Sequence, residues 1–324
     1  MRARPQGRRM KVPTFIARHG RQAGTVAVFL MLCAVLSVLT PHFLTTSNLL
    51  NVAQQTVVNA IVAVGLTYVI LSGGIDLSVG SVLALAGVVL GLALEAGWPL
   101  PVAIAACVLV GALCGVLNGM LVAFGRLPPF IATLGLMSIA RGAALLVTDG
   151  RPVSGFDGSF RWLATGELLG VPVPVWCMLA VYVAAHVVLH RTRFGRYVFA
   201  IGGNEEATLL SGVPVARCKV GIYALGGGLA AGASVLLTAR LNSAQPIAGL
   251  NYELDAIAAT VIGGTSLLGG QGSVFGTLVG ALIMGVLRNG LNLLGVSSFV
   301  QQVVIGAVII AAVLLDTFFK RSRR

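Results

Sequence analysis

Residues 191–219 read RTRFGRYVFAIGGNEEATLLSGVPVARCK. This is the longest polar interruption after the N-terminus in a chain that is otherwise almost entirely apolar. It opens with Arg191, Arg193 and Arg196, then carries Gly202, Gly203, Asn204, Glu205, Glu206 and Ala207. A short helical run through Leu210 and Ser211 ends at Gly212, and Arg217 and Lys219 close the stretch. Apolar runs flank it, Val171–Leu189 before and Val220–Ala239 after, each close to the ~20 residues that cross a bilayer. A structured polar segment held between two such runs reads as a connection on one side of a membrane, where a soluble partner docks.

Composition supports that reading. Of 324 residues, 57% are hydrophobic and 10% charged, against about 25% charged in soluble domains. The class is an all-α polytopic membrane protein. The 42 glycines and few aromatics fit helices packed closely through small residues. An outer-membrane barrel would show short alternating segments instead. The net charge of +12 does not indicate a nucleic-acid partner: seven basic residues precede Gly24 and four follow Phe319. They flank spans, as the positive-inside rule describes, and no solvated basic face presents itself. Cys33, Cys107, Cys114, Cys177 and Cys218 are scattered without CxxC spacing, so a disulfide or metal site is not expected. The N-terminal basic and apolar stretch lacks a small-residue cleavage site and reads as a retained first span.

Counting runs gives about ten transmembrane helices: Gly24–Thr40, Leu49–Ser72, Ser78–Leu94, Leu100–Phe124, Phe130–Thr148, Val171–Leu189, Val220–Ala239, Ala256–Leu268, Val274–Leu294 and Phe299–Phe319. The division is a basic tail, 1–23, a transmembrane domain, 24–319, with the polar loop 190–219 inside it, and a basic end, 320–324. Ten spans put both termini on one side. Seventeen Lys and Arg then fall on the side of the termini, against four (Arg151, Arg161, Arg240 and Arg288) on the other. That bias makes the termini cytoplasmic. Two glycine-broken helices suggest a parallel internal repeat. One break is SGGIDLSVGSV at 72–82; the other is GGTSL at 263–267 with GSV at 272–274. Glycine pairs with serine are also ordinary punctuation between spans.

Several residues are candidates for chemistry. Gly73, Gly74, Asp76 and Ser78 form the first break, and Gly263, Gly264 and Thr265 the second. An ionisable group near the membrane is a candidate by default, so Asp76 either lines a path or caps the third span at the water interface. Arg141 lies midway in a span and must face a carbonyl or a wet cavity. The segment Arg126–Phe130 is a rigid proline turn. His186 and His190 have helical spacing but no third metal ligand. On the outside, Asn242, Ser243, Gln245 and Asn251 offer neutral hydrogen bonds that suit sugar hydroxyls, with an ordinary loop as the alternative; Arg240, Asn242, Gln245, Asp255 and Arg288 are the candidate residues of that outer side. No P-loop, G-x-x-x-x-G-K-[ST], is present, because none of Lys11, Lys219 and Lys320 follows a glycine. If ATP drives this chain, the motor is another subunit.

Several stretches together resemble a known family. They are SGGIDLSVGS (72–81), FGRYVFAIGGNEEATLLSGV (194–213), ARLNSAQP (239–246), YELDAIAATVIGGTSLLGGQGS (252–273) and GLNLLGVSS (290–298). The chain is similar to permease subunits of bacterial ABC sugar importers, the ribose/galactose/arabinose/xylose permease family, its ribose branch above all. The resemblance implies a multi-pass protein of the bacterial inner membrane that takes a monosaccharide from a periplasmic sugar-binding protein. It implies a second permease copy or paralogue and ABC ATPase subunits that hold ATP and Mg, with no cofactor on this chain and no enzymatic activity. It also assigns Gly202–Gly212 as the segment seated in the ATPase. Arg288 departs from the pattern by placing a positive charge at the outer mouth. A gradient-driven secondary transporter or channel for a small polar solute is the competing reading; it requires intramembrane acids or histidine relays. Only Asp76 and Arg141 are candidates. A membrane-embedded enzyme lacks any nucleophile or metal constellation.

Overall fold

The structure is a computed structural model that describes residues 14–321; the basic ends 1–13 and 322–324 lie outside it. Its elements are α1 (Thr14–Leu39), α2 (Thr46–Leu71), α3 (Val79–Glu95), α4 (Leu100–Ala123), α5 (Pro129–Thr148), β1 (Val153–Ser154), α6 (Gly158–Thr165), β2 (Glu167–Leu168), β3 (Val171–Pro172), α7 (Val173–Arg191), α8 (Arg193–Gly203), α9 (Glu205–Leu210), α10 (Val215–Leu241), β4 (Ser243–Ala244), α11 (Tyr252–Ile262), α12 (Val274–Leu293) and α13 (Ser298–Arg321). The protein is an all-α polytopic membrane protein: α2, α4, α5, α7, α10 and α12 are each long and apolar enough to cross a bilayer. Shorter apolar helices occupy Ala23–Leu39, Val79–Glu95 and Ser298–Ala311.

Three boundaries differ from those read along the sequence. Helix α1 begins at Thr14, so helical backbone extends into residues assigned to the basic tail. Helix α10 begins at Val215 and takes in Arg217, Cys218 and Lys219. The eighth run shifts toward the N-terminus and shortens, because α11 stops at Gly263 and the chain stays irregular to Ser273. The segment 149–170 is not an open loop. It carries α6 between two small antiparallel ladders, β1 on β4 (Val153 opposite Ala244) and β2 on β3.

Helix α2 is the hub. Every residue from Ala60 to Leu71 is buried, as a helix apolar on all sides must be. Helices α7, α10, α11 and α12 surround it. Its carbonyls and hydroxyls are used by neighbours. Tyr68 OH donates to the Ala185 carbonyl at 2.5 Å, Tyr182 OH to Ala60 at 3.0 Å, and Thr67 shares a 2.7 Å bond with Thr277. In hydrocarbon such bonds hold helices in register where the hydrophobic effect between helices is absent.

The tightest packing is the seam between α4 and α10. Gly111, Gly115 and Gly119 recur every four residues on α4. A Cβ on Gly119 would lie 2.5 Å from Val220 Cα, and one on Gly115 would lie 2.7 Å from the Tyr223 carbonyl carbon. Only glycine permits that backbone approach. Trp98, Trp162 and Trp176, each 42–50% exposed, all sit on the end of the molecule that carries β1 and β4.

Gly119→Ala drives a methyl into the α10 backbone and costs about 1–3 kcal/mol, the usual range for overpacking. Gly135 on α5 has open space at the same atom, so Gly135→Ala is neutral or mildly stabilising through helix propensity. Thermal unfolding of the two purified variants in detergent checks the contrast; equal midpoints contradict the seam.

Candidate functional site

The polar segment 191–219 folds as two short helices and a tether. Thr192 starts α8, its Oγ1 accepting from Gly195 N at 3.2 Å. The helix stops at Gly203, where Asn204 turns extended and its Oδ1 accepts from Ala207 N at 2.9 Å to start α9. Asn204 competes with helical backbone for its own hydrogen bonds, which is why it caps rather than continues. Glu205 and Glu206 then occupy the first turn of α9, where the partial positive charge of the helix end favours them. Lys219 Nζ donates to both carboxylate oxygens of Glu205 at 2.7 Å, tying α9 to the base of α10. Ser211 Oγ donates to Ala207 O, and Gly212 ends the helix at φ 80°. Thr208 is buried, but Leu209 and Leu210 are 59% and 83% exposed. An apolar knob therefore stands on an otherwise charged segment.

Next to that knob, Gly202 of α8 meets the end of α2 and the loop that follows α11. Gly270 N donates to the Leu71 carbonyl at 2.9 Å, joining the irregular segment 263–273 to the end of α2. Gly202 covers this bond: a Cβ there would collide with Leu71 O and lie 2.5 Å from Gly270 N. A Cβ on Gly269 would lie 3.0 Å from both Gly73 N and Gly202 Cα. Of the candidate coupling residues, Gly202 thus meets the end of α2 and the Gly269–Gly270 loop beyond the second break through backbone alone.

The first break holds Asp76, which is 1% exposed. Its Oδ1 accepts from Ser78 N at 2.8 Å and Ser78 Oγ at 2.6 Å. Asn118 Nδ2 on α4 donates to Ser78 Oγ at 2.9 Å, and Thr133 Oγ1 on α5 donates to the Ile75 carbonyl at 3.4 Å. Tyr223 OH would lie 2.5 Å from a Cβ on Gly74. Asp76 does organise the start of α3, but inside the bundle; the alternative of a cap at the water interface is corrected by its burial between α3, α4, α5 and α10. In the second break Gly263 packs on the Gly276 backbone, Gly264 adopts φ 89°, and Thr265 N donates to Thr260 O at 3.1 Å. No acid stands there.

The opposite face is held by charges. Arg141 Nη1 donates to the carbonyls of Pro246 and Ala248, both at 2.7 Å. The mid-helix arginine is stabilised by these two carbonyls and in turn fastens the 246–248 loop to α5. Arg288 on α12 pairs with the buried carboxylate of Asp255 on α11. The free positive charge read at the outer mouth is therefore corrected to a balanced pair. Asn242 ends α10 at φ 48°, Arg240 is exposed, and Gln245 with Thr238 and Ser243 lines a water-sized void of about 10 Å³. His186 and His190 stack at 4.3 Å, with no third metal ligand among the described residues.

Sequence reading missed two buried polar partners. Asn118 meets Ser78, and Asn48 and Asn289 exchange amide bonds of 3.0 and 2.8 Å between α2 and α12. An asparagine inside an apolar run was the available signal, since a buried amide requires a partner.

Residues 48–313 match the family described as branched-chain amino acid transport system / permease component. The chain is 53% identical over 296 residues to the ribose import permease protein RbsC of Escherichia coli K12, covering 90% of this chain and 92% of that one. It is 50% identical over 288 residues to the protein of the same name from Bacillus subtilis 168, covering 88% and 89%. To the D-allose transport system permease protein AlsC of Escherichia coli K12 it is 39% identical over 313 residues, 96% of each chain. No solved structure matches.

The Asp255–Arg288 pair makes an asymmetric prediction. Arg288→Met strands a buried carboxylate, a loss of up to about 3–5 kcal/mol for a fully buried pair. Asp255→Asn leaves an arginine that is 45% exposed and costs less. The double variant recovers most of the Arg288→Met loss. Unfolding midpoints of the three proteins check it; equal losses in both single variants contradict it.

Proposed function

The chain belongs to the branched-chain amino acid transport system / permease component family, and on that premise we propose that it is the permease subunit of an ATP-driven ABC importer for a monosaccharide. The family description names amino acids, whereas the relatives compared above carry the names of sugar permeases. A ribose-type pentose or a related sugar is therefore the cargo. The protein is multi-pass in the bacterial inner membrane, with ten spans and both termini cytoplasmic. Two copies, or this chain and a paralogue, enclose the path. A separate ATPase holds ATP and Mg, and a periplasmic binding protein delivers the sugar.

The observation that carries this reading is the seat of α8 and α9. The chain has no P-loop, yet it presents Glu205, Glu206, Leu209 and Leu210 on a compact knob that continues from α8, whose Gly202 lies against the end of α2 and the loop after α11. A rigid knob packed backbone to backbone on two broken elements converts a push from a docked ATPase into displacement of both. That is rigid-body alternating access. Gly202, Gly203 and Asn204 supply the joint, and Glu205 to Gly212 the docking surface. The breaks at Gly73–Ser78 and Gly263–Thr265 are the gate elements that move. Arg141, Arg240, Asn242, Gln245 and the Asp255–Arg288 pair shape the face the binding protein meets.

Uptake into proteoliposomes requires ATP, the ATPase and the binding protein; gradient-driven uptake by the purified chain alone overturns the reading. Within the assembled transporter, Glu205→Lys places two cations together at Lys219 and lowers both uptake and binding-protein-stimulated hydrolysis. Adding Lys219→Glu restores the pair and much of the activity. Glu206→Lys, whose carboxylate forms no ion pair among the described residues, is not rescued by Lys219→Glu. Uptake assays of the two single and two double variants separate the roles.

A further inference from the structure

The turn between α3 and α4 and the segment from β1 into α6 enclose an open cleft of about 510 Å³, within the size range of ligand sites. It lies on the face of the three tryptophans. Phe160, 1% exposed, forms its floor and meets Phe156 edge to face at 5.4 Å. Trp98 lines it and is 50% exposed. The rim carries two exposed carboxylates, Glu95 and Asp157, and the hydroxyls of Ser154 and Ser159. Asp157 is fixed in place, because its Oδ1 accepts from Gly158 N at 2.7 Å and so caps α6. Among the described residues, no Lys or Arg forms an ion pair with Glu95 or Asp157.

Two unneutralised carboxylates beside an exposed indole select a cation. A guanidinium or ammonium gains charge-assisted hydrogen bonds from the acids and a cation–π contact from the ring. A neutral sugar would leave both charges uncompensated. The cleft is also rigidly joined to the outer loop, since Ser154 on its rim is the register partner of Ser243 in the β1–β4 ladder.

We propose that this cleft is the docking pocket for an arginine or lysine side chain of the periplasmic binding protein, an anchor distinct from the polar loop at 240–255. This rests on the importer reading above. Basic side chains seated in aromatic-walled pockets are the residues that dominate such interfaces, and rim acids speed encounter in a salt-dependent way.

The test is the affinity of the sugar-loaded binding protein for the complete transporter in nanodiscs. Glu95→Gln and Trp98→Ala each weaken binding by about tenfold, as loss of one charge-assisted or cation–π contact implies, and Glu95→Lys weakens it further. Basal ATP hydrolysis stays unchanged. Glu167→Gln, an exposed acid outside the cleft, binds as the parent does. Affinities of Glu95→Lys and Trp98→Ala within twofold of the parent overturn the anchor while leaving the importer reading intact. A parent transporter that binds no binding protein removes both. Titration with free ribose that shifts tryptophan fluorescence in the parent but not in Trp98→Ala assigns the cleft to sugar and overturns the anchor.

Discussion

One backbone hydrogen bond, from Gly270 N–H to the Leu71 carbonyl, brings the two interrupted elements of this protein together. Leu71 is the last residue of the buried hub helix α2, whose carbonyls beyond this point have no helical partner. An orphan carbonyl in an apolar bundle is costly unless satisfied. The segment 263–273 satisfies it, but only by running close enough that Gly202 must lie over the bond without a side chain. Glycine at 202, 269 and 270 is thus a requirement of the joint rather than a flexible spacer. Through Gly202, α8 lies directly against the end of α2 and the 269–270 loop, and α9 is joined to it through Asn204.

The two faces of the molecule use their few charges differently. On the α9 face the Glu205–Lys219 pair is solvent-accessible and weak by nature; its value is geometric, in fixing α9 against α10. On the other face Arg141 and Asp255 sit deeper, where an uncompensated charge is expensive. Each is matched, Arg141 by two carbonyls and Asp255 by Arg288. These contacts hold the 242–251 loop and the α11–α12 pair in fixed positions. The face that carries β4 is therefore held by matched charges at depth, whereas α9 is held by an ion pair nearer the surface.

Much of this was legible in the sequence. The ratio of apolar to charged residues gives the class, since no soluble fold can hide such a surface. The Asn204-Glu205-Glu206 run marks the start of α9, because capping and helix-end charge are local effects. A mid-span Arg141 requires a carbonyl or a wet cavity; two carbonyls meet it, and which ones depends on the fold. What the sequence hid is tertiary. The spacing of Gly111, Gly115 and Gly119 does not say which helix approaches. From its neighbours Asp76 reads either as a path-lining group or as an interfacial cap, and its burial appears only when α4, α5 and α10 close over it. Arg288 reads as a lone charge until α11 brings Asp255 alongside. The convergence of Gly202 with Gly73 and Gly270 joins residues too far apart along the chain for any local pattern to carry.

The measurement that bears most directly on the account is the number of sugar molecules imported per ATP hydrolysed by a reconstituted transporter carrying Gly202→Ala. A methyl at that position pushes against the Leu71–Gly270 bond, whereas Gly203→Ala meets open space and serves as the control. If α8 and α9 drive the breaks through this joint, the Gly202 variant assembles and hydrolyses ATP but its import per ATP falls sharply, while the Gly203 variant matches the parent. An unchanged ratio in both variants contradicts the account.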